Sequence, residues 1–523
     1  MPYDSHHLLR EVWEPLSRRA PMLTAQLGIG ETVTVGAFLR QSLATDFSPH
    51  RTADDYLETL YAAAALKSGL RVAAATVHDQ RRRPLILTAN HHGIDTFADS
   101  VQATMLTALA EQRADPSLST VVVLAASTIS LDNPTLPGGF RLYGAETASF
   151  DSAVRALRLF PSSGRNVMVM KASSYQKIQV ERIEARVLEL KNAGEISTYS
   201  ALVAMHFIED ILKDPLILGA QLFIEQARLV NERLWADAFI AGTPTVTLVY
   251  LSLEEIGAKL AAQDLVRSDT ILARLLFTPR NLRALTNELN DVPGCWSLSG
   301  MRAQRGAPAN PALKTGTMFF WGVSNSGRRI PLYMNDDVDS ASLFGFDEYG
   351  DLISVRLSQA ELCDALIGGR LVPSLLTCMI ALALERGVTC VGGYYQAAYL
   401  PRMRRGVAHV LSQDGGGAED VEAFLAMHFE PNCVSGLQPV VRVDGDERLC
   451  TAGPLDLSFA GGVGVSALNS CLDVPVRLAT EVALMELVPD IVPRGEVPSG
   501  WSRRLGEALL GSERQLVTTS VAT

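Results

Sequence analysis

The sequence is short of the features that mark exported, membrane-spanning and nucleic-acid-binding proteins. It has only seven cysteines in 523 residues and no Cys-x-x-Cys pair, which excludes a disulfide scaffold and favours reduced thiols. No apolar run reaches the roughly 20 residues that a membrane span needs, and the first residues lack a signal-peptide pattern. Acidic residues outnumber basic ones, 57 against 46, which argues against a surface that follows nucleic-acid phosphates. We therefore expect a cytoplasmic protein that binds neither membrane nor nucleic acid.

The composition is that of a globular protein with more than one hydrophobic core. Hydrophobic residues make up 47% of the chain and charged residues 20%, far from the composition of disordered chains. The length exceeds what a single core usually supports. The polar segment MRAQRGAPANPALK, residues 301–314, has the proline and glycine content of a linker. We predict two closely packed domains or lobes, residues 1–300 and residues 301–523.

Short apolar segments alternate with helical patterns along the chain. Buried strands are predicted at 85–87, 120–124, 166–170 and 245–251, with a long helical region over 175–240. In the second half, MFFWGVS, RIPLYM and DLISVRLS are predicted as three neighbouring strands, followed by a helical stretch at 358–385 and a strand at 388–391. This alternation indicates an α/β fold of mixed sheets with flanking helices.

The turn Asn90-His91-His92-Gly93-Ile94-Asp95 is the strongest candidate for a reactive centre. It joins a predicted strand to a predicted helix, which is where α/β proteins place reactive groups. An imidazole can remove a proton from a hydroxyl, amine or thiol, while a carboxylate fixes its tautomer or holds the turn. The alternative is that both histidines cap the helix and satisfy buried backbone groups.

Read as His91-x-x-x-Asp95, the turn resembles the HxxxD signature of acyltransferases related to chloramphenicol acetyltransferase and of peptide-synthetase condensation domains. The resemblance implies that His91 is the general base and Asp95 its organiser. Two positions depart from that pattern: the second histidine follows the first instead of preceding it, and Thr96 replaces the usual glycine. The turn is also similar to the NHxxxxD motif of glycerolipid acyltransferases, although it is one residue too short.

Further candidates lie after other predicted strands. Lys171 is positioned for an anion or carboxylate contact. Tyr394 and Tyr395 follow two glycines and could line a pocket, and Arg402 could hold an anionic substrate. One predicted helix face carries three candidate metal ligands, His206, Glu209 and Asp210. The simpler interpretation is that this face is solvated or ion-paired.

The sequence therefore predicts an acyltransferase that acts on a small amine or hydroxyl acceptor. The catalytic residues are His91, His92 and Asp95, with His92 assisting substrate or oxyanion binding. The predicted substrate contacts are Asn90, Lys171, Tyr394, Tyr395 and Arg402. No cofactor or metal is assigned, and a CoA-bound or carrier-bound acyl thioester is compatible as donor. One alternative is a metal-dependent enzyme using His91 or His92 with Asp95, and another is a non-enzymatic binding protein.

Overall fold

The protein has an α/β fold in which one parallel sheet is surrounded by helices and small antiparallel sheets. A computed structural model describes residues 5–43, 53–144, 154–243, 245–304, 315–335, 341–413, 433–443 and 448–519. In these ranges, no helix is both long enough and apolar enough to cross a bilayer. Of the predicted linker, residues 305–314 lie outside the described residues.

The elements follow one another in three stretches. The first holds α1 (Ser5–Arg19), α2 (Pro21–Leu27), α3 (Val35–Ser42), α4 (Asp54–Ser68), α5 (Leu70–Arg82), β1 (Leu85–Leu87), α6 (Ala98–Ala114), β2 (Thr120–Ala125), β3 (Gly139–Tyr143), β4 (Val154–Arg158), α7 (Lys177–Asn192), α8 (Thr198–Phe207), α9 (Pro215–Leu218) and α10 (Phe223–Asp237). The second holds β5 (Thr247–Ser252), α11 (Leu253–Leu265), α12 (Ile271–Phe277), α13 (Pro279–Glu288), α14 (Leu298–Gln304), β6 (Phe320–Val323), β7 (Arg329–Pro331), β8 (Tyr333–Asn335), β9 (Ser342–Phe346) and β10 (Leu352–Arg356). The third holds α15 (Gln359–Ile367), β11 (Leu371–Pro373), α16 (Leu375–Met379), β12 (Thr389–Val391), α17 (Tyr394–Ser412), β13 (Val440–Val443), β14 (Leu449–Thr451), α18 (Pro454–Phe459), α19 (Val465–Cys471), α20 (Val476–Ile491), α21 (Trp501–Leu509) and β15 (Val517–Thr518).

The central sheet has four parallel strands in the order β12-β1-β2-β5. These strands are short and almost entirely buried, because helices cover both faces. The chain supplies β1, β2 and β5 in one direction across the sheet and then adds β12 on the other side of β1. The predicted strands at 85–87, 120–124, 245–251 and 388–391 are thereby confirmed, with small shifts at their ends.

The strand order reverses between β1 and β12. Leu87 of β1 packs in the same core as Met105 of α6, the helix that follows β1. Ile86, on the opposite face of β1, packs in the same core as Leu400 of α17, the helix that follows β12. The two strands therefore send their helices to opposite faces of the sheet. This is the topological switch point at which open α/β sheets have a crevice for ligands.

The structure corrects three parts of the secondary-structure prediction. Residues 166–170 form no sheet strand: Met168 makes one isolated bridge with Ser130, and Val169–Lys171 is a single 3₁₀ turn. The apolar residues there are buried in a separate core, and an apolar run alone does not distinguish a strand from a buried turn.

The stretch 358–385 is two helical parts separated by β11, because Gly369 ends the first helix at a φ of 67°.

The predicted trio of neighbouring strands belongs to two sheets. MFFWGVS contains β6, and RIPLYM contains both β7 and β8. One three-stranded sheet has the order β11-β6-β7, and the other has the order β10-β9-β8.

The division at residue 300 stays a prediction. Residue 300 lies inside α14. Strand β1 comes before it in the chain and β12 after it, yet the two strands pair in the central sheet.

Candidate functional site

The turn that follows β1 lies at the carboxyl edge of the central sheet, beside the switch point. The His92 backbone N–H donates to the carbonyl of Ala126, at the end of β2, over 2.8 Å. The Tyr250 hydroxyl donates to the His91 carbonyl over 3.3 Å. Gly93 has a φ of 138°, and a Cβ there would come within 2.3 Å of Pro137, so glycine is required at this position. The backbone after β2 and the Tyr250 side chain of β5 thus hold the turn.

Hydrogen bonds to the Asp95 side chain stabilise the turn. Its carboxylate accepts hydrogen bonds from Asn90 Nδ2 at 2.9 Å and from Ser100 Oγ at 2.6 Å. Burial raises the pKa of the Asp95 carboxyl, while these hydrogen bonds oppose the increase. Asn90 is 3% exposed, so the structure places this predicted substrate contact beneath the surface. Asp95 organises the turn that carries His91 and makes no hydrogen bond with the His91 ring among the described residues.

The His91 ring is half-buried, and its hydrogen-bond partners, Thr135 and Asn133, both belong to the loop after β2. Its Nδ1 lies 2.9 Å from Thr135 Oγ1, and that hydroxyl donates its single hydrogen to Asn133 Oδ1, also over 2.9 Å. The hydroxyl of Thr135 therefore accepts a hydrogen bond from His91 Nδ1–H, which leaves the lone pair of the neutral ring on Nε2. Among the described residues, Nε2 has no hydrogen-bond partner. Burial lowers the pKa of His91 to about 4; the hydrogen bond with Asn133 opposes this decrease, and the charge of Arg329 adds a smaller contribution to it.

Arg329 is a site residue that the sequence did not reveal. It lies on β7, and its guanidinium carbon sits 4.7 Å from the centre of the Trp321 ring. Arg329 is exposed to solvent; desolvation of its guanidinium lowers the pKa, whereas the charges of Glu254 and Asp132 raise it. Arg329 has no ion pair within the described ranges. A positive group without a direct ion pair among the described residues therefore acts electrostatically on His91.

Glu254 supports the neighbouring part of the sheet edge. This residue begins α11 directly after β5, and it is 5% exposed. Its carboxylate accepts hydrogen bonds from the backbone and hydroxyl groups of both Ser127 and Thr128, over 2.7–3.3 Å. These contacts fix the loop after β2 against β5, on the side of the site opposite β12.

His92 points away from His91 into the protein. Its ring is buried and packs edge-on against Tyr250, with 5.0 Å between ring centres. Burial lowers the pKa of His92 to about 3, with smaller contributions from Lys67 and Arg228, so the ring is neutral. Its Nδ1 has no hydrogen-bond partner in the described part of the chain. This position suits packing behind the turn better than contact with a substrate.

A small cavity lies behind the turn. It has about 20 Å³ of space and is bordered by Asn90, Asp95, Asn231 and Tyr250. Asn90 Oδ1 is buried and has no partner among the described residues. The rest of the lining is mainly apolar. This volume holds about one water molecule, so the cavity is too small for a substrate.

The other predicted substrate contacts lie at different places in the fold. Tyr394 and Tyr395 begin α17 with their rings 4.4 Å apart, at the end of the strand next to β1. Burial raises the pKa of the Tyr394 hydroxyl, and negative groups nearby raise it further. Arg402 is exposed on α17, about 12 Å further along the helix axis at 1.5 Å per residue.

Lys171 and the helical trio have different surroundings. Lys171 is exposed and lies against Gly327, two residues before Arg329. His206 Nδ1 pairs with Asp210 at 2.7 Å, and Glu209 pairs with Lys213 at 2.6 Å, which matches a paired helix face. Within the described ranges, no group of three or more metal-ligating side chains converges on one point. Both the metal-free assignment and its metal-dependent alternative stay predictions.

The fold and the site together define an α/β protein with a histidine-bearing turn at the switch point of a parallel sheet. Comparison of the chain with protein-family models, curated proteins and solved structures finds no match. Its function must therefore be argued from its own residues.

Proposed function

We propose that this protein is an acyltransferase in which His91 removes a proton from the hydroxyl or amine of a small acceptor. The observation that carries the proposal is the hydrogen-bond chain from His91 Nδ1 through Thr135 to Asn133. It fixes the ring in the tautomer whose lone pair is on Nε2. A neutral, oriented imidazole with one free nitrogen is what general base catalysis requires.

The proposed reaction transfers the acyl group of a thioester in two stages. First, His91 Nε2 takes the proton of the acceptor O–H or N–H as the acceptor attacks the acyl carbonyl, and the carbonyl π electrons move to oxygen. The tetrahedral intermediate then collapses and breaks the carbon–sulfur bond, and the imidazolium gives its proton to the departing thiolate. The products are an ester or amide and a free thiol, and His91 returns to its neutral state.

Arg329 supports a negatively charged substrate at this site. Its guanidinium lacks an ion pair within the described ranges and rests on the Trp321 ring, and a stacked guanidinium binds carboxylates and phosphates well. An anion bound there would offset the charge of Arg329, which otherwise lowers the pKa of His91. Substrate binding would thereby make His91 a stronger base.

The other residues of the turn have positioning roles in this proposal. Asp95 keeps the backbone of the turn in place through Asn90 and Ser100. His92 fills the space against Tyr250 instead of assisting the oxyanion. Tyr394, at the start of α17, lies at the other side of the switch point, where it would contact a bound substrate.

The test is thiol release from acyl thioesters of two to ten carbons, measured with a thiol-reactive dye in the presence of pooled amine and hydroxyl acceptors. We expect the wild type to release thiol and His91→Gln to lose at least 100-fold of that rate, because general base catalysis contributes about 10²–10⁴-fold. The matched control is His78→Gln, which changes an exposed histidine on α5. Equal rates in His91→Gln and wild type would contradict the proposal.

Elemental analysis separates the metal-dependent alternative. Near-stoichiometric metal in the wild type that is lost in His91→Ala or His92→Ala would overturn metal-free proton transfer. A non-enzymatic binding protein would instead release no thiol with any donor, and its ligand binding would tolerate loss of both histidines.

A further inference from the structure

A groove separate from the His91 site lies between helices α13 and α14 and the strands β8 and β9. It has a volume of about 400 Å³, which falls in the range of small-molecule sites. Its apolar lining consists of Leu298, Met301, Met318, Tyr333, Met334 and Phe344. Methionine-rich surfaces adapt to flexible apolar ligands.

Two arginines lie at the groove, one on each flanking helix. Arg283 is on α13 and Arg302 is on α14, and both are exposed. Neither has an ion pair or hydrogen bond within the described ranges. Among the described residues, the ten that line the groove include no acidic side chain, although the whole chain has a net charge of -11. The described part of the groove therefore combines an apolar floor with two positive side chains at its edge.

We propose that this groove binds a single-chain amphiphile with an anionic head. The alkyl chain would lie on the methionine and aromatic side chains, where each buried methylene raises the affinity about fourfold. The anionic head would lie between Arg283 and Arg302, whose guanidinium groups bind carboxylate or phosphate oxygens in pairs. The proposal does not rest on the proposed acyl transfer, because the groove has no residue in common with the His91 site.

The groove requires a ligand that has both an anionic head and a long alkyl chain. A neutral or cationic head would leave the two guanidinium groups without a counterion, and a short chain would leave the floor uncovered. A fatty carboxylate and an alkyl phosphate share the chemistry that fits. Their relative affinities therefore indicate whether the natural ligand is a free acid or a phosphorylated lipid.

Calorimetric titration of the full chain with decanoate, decyl phosphate and decyltrimethylammonium tests the proposal. We expect at least one anion to bind at least tenfold more tightly than the cation, and octanoate to bind about 15-fold more weakly than decanoate. The double variant Arg283→Gln/Arg302→Gln should lose about tenfold of the anion affinity. The matched control, Arg280→Gln, changes an exposed arginine on the same helix outside the groove and should bind as the wild type does.

A second variant tests the floor independently of the charges. Met334→Gln places a polar group of similar size in the lining and should reduce the affinity for decanoate more than that for octanoate. Equal binding of anions and cation, absence of binding, or full affinity in the double variant would each overturn the proposal. Far-ultraviolet circular dichroism of every variant confirms that the fold is retained.

Discussion

The imidazole Nδ1 of His91 lies 2.9 Å from the hydroxyl oxygen of Thr135. Because that hydroxyl donates its only hydrogen to Asn133, the proton on the His91 ring has one defined position. The contact joins the turn after β1 to the loop that follows β2. The chemistry proposed for His91 therefore depends on a residue 44 positions later in the chain.

Thr135→Val tests this dependence. The substitution keeps the shape of the side chain but removes the acceptor of His91 Nδ1–H, so the ring loses its preferred tautomer and orientation. We expect a 10- to 100-fold lower rate of thiol release, in line with about 1–3 kcal/mol for an unsatisfied polar group. Thr135→Ser retains the hydroxyl and should keep most of the rate. A Thr135→Val protein as active as the wild type would exclude the proposed tautomer control.

Arg329→Gln should raise the pKa of His91 above its value of about 4. The positive charge of Arg329 opposes protonation of the ring, and removing it favours the imidazolium. The increase should be partial, because burial is the larger cause. Since the proposed reaction needs neutral His91, the activity of the variant should begin to fall at a higher pH as the solution is acidified. The measurement is the pH profile of thiol release, with Arg328→Gln as the neighbouring control.

If the activity of Arg329→Gln falls at the same acidic pH as that of the wild type, the charge of Arg329 does not control the pKa of His91. Added acetate offers a second test, since an anion at Arg329 should shift the His91 pKa in the same direction in the wild type and not in the variant.

His92→Phe should make the fold less sensitive to acid. Burial lowers the pKa of His92 to about 3 in the folded protein, whereas an unfolded histidine titrates near 6.5. Between these values the unfolded chain binds more protons, so the free energy of unfolding decreases as the pH falls from 6.5 toward 3. Phenylalanine keeps the edge-on contact with Tyr250 and removes the titration. We expect the decrease between pH 7 and pH 4 to be smaller by about 3 kcal/mol.

Urea unfolding at both pH values measures this difference, with His78→Gln as the exposed-histidine control. Equal pH dependence in wild type and His92→Phe would mean that His92 is not buried in its neutral form.

Arg386→Gln should strongly destabilise the fold. The guanidinium is buried and bonds Asp55 and Asp264 at 2.7–3.1 Å. Without it, Asp264, whose side chain is 1% exposed, would be left as an unpaired buried carboxylate. The expected loss is about 3–5 kcal/mol. Arg356→Gln, which removes the exposed pair with Glu361, should change the free energy of unfolding by about 1 kcal/mol or less.

The midpoint of urea unfolding distinguishes the two variants. Similar midpoints for Arg386→Gln and Arg356→Gln would show that the buried ion pair does not contribute as proposed.

The central strands were predictable because burial on both faces leaves short apolar runs between helical patterns. β1, β2, β5 and β12 all have that signature. The run at 166–170 has it too, but its side chains are buried in a different core. β11 was missed because three residues, Leu371–Pro373, are too few to interrupt the helical pattern around them.

The turn that carries His91 was predictable, whereas its partners were not. A strand followed by histidines and a helix is a local pattern. The positions of Thr135 and Arg329 depend instead on how distant loops fold back onto the sheet edge, and no local periodicity records such contacts. Trp321 and Arg329 are eight positions apart in the chain, and the β6–β7 hairpin brings them into contact.

The pairing of β1 with β12 also has a consequence for synthesis of the chain. Leu87 of β1 is paired with Val391 of β12, so about 300 residues must be translated before that edge of β1 is covered. At roughly 5–20 residues per second, the ribosome takes about 15–60 s to add them. During that interval the nascent chain presents an apolar strand with open hydrogen-bonding groups, which is a template for pairing with other chains. Productive folding in the cell should accordingly depend on holding chaperones that cover β1 until the last strand of the sheet emerges.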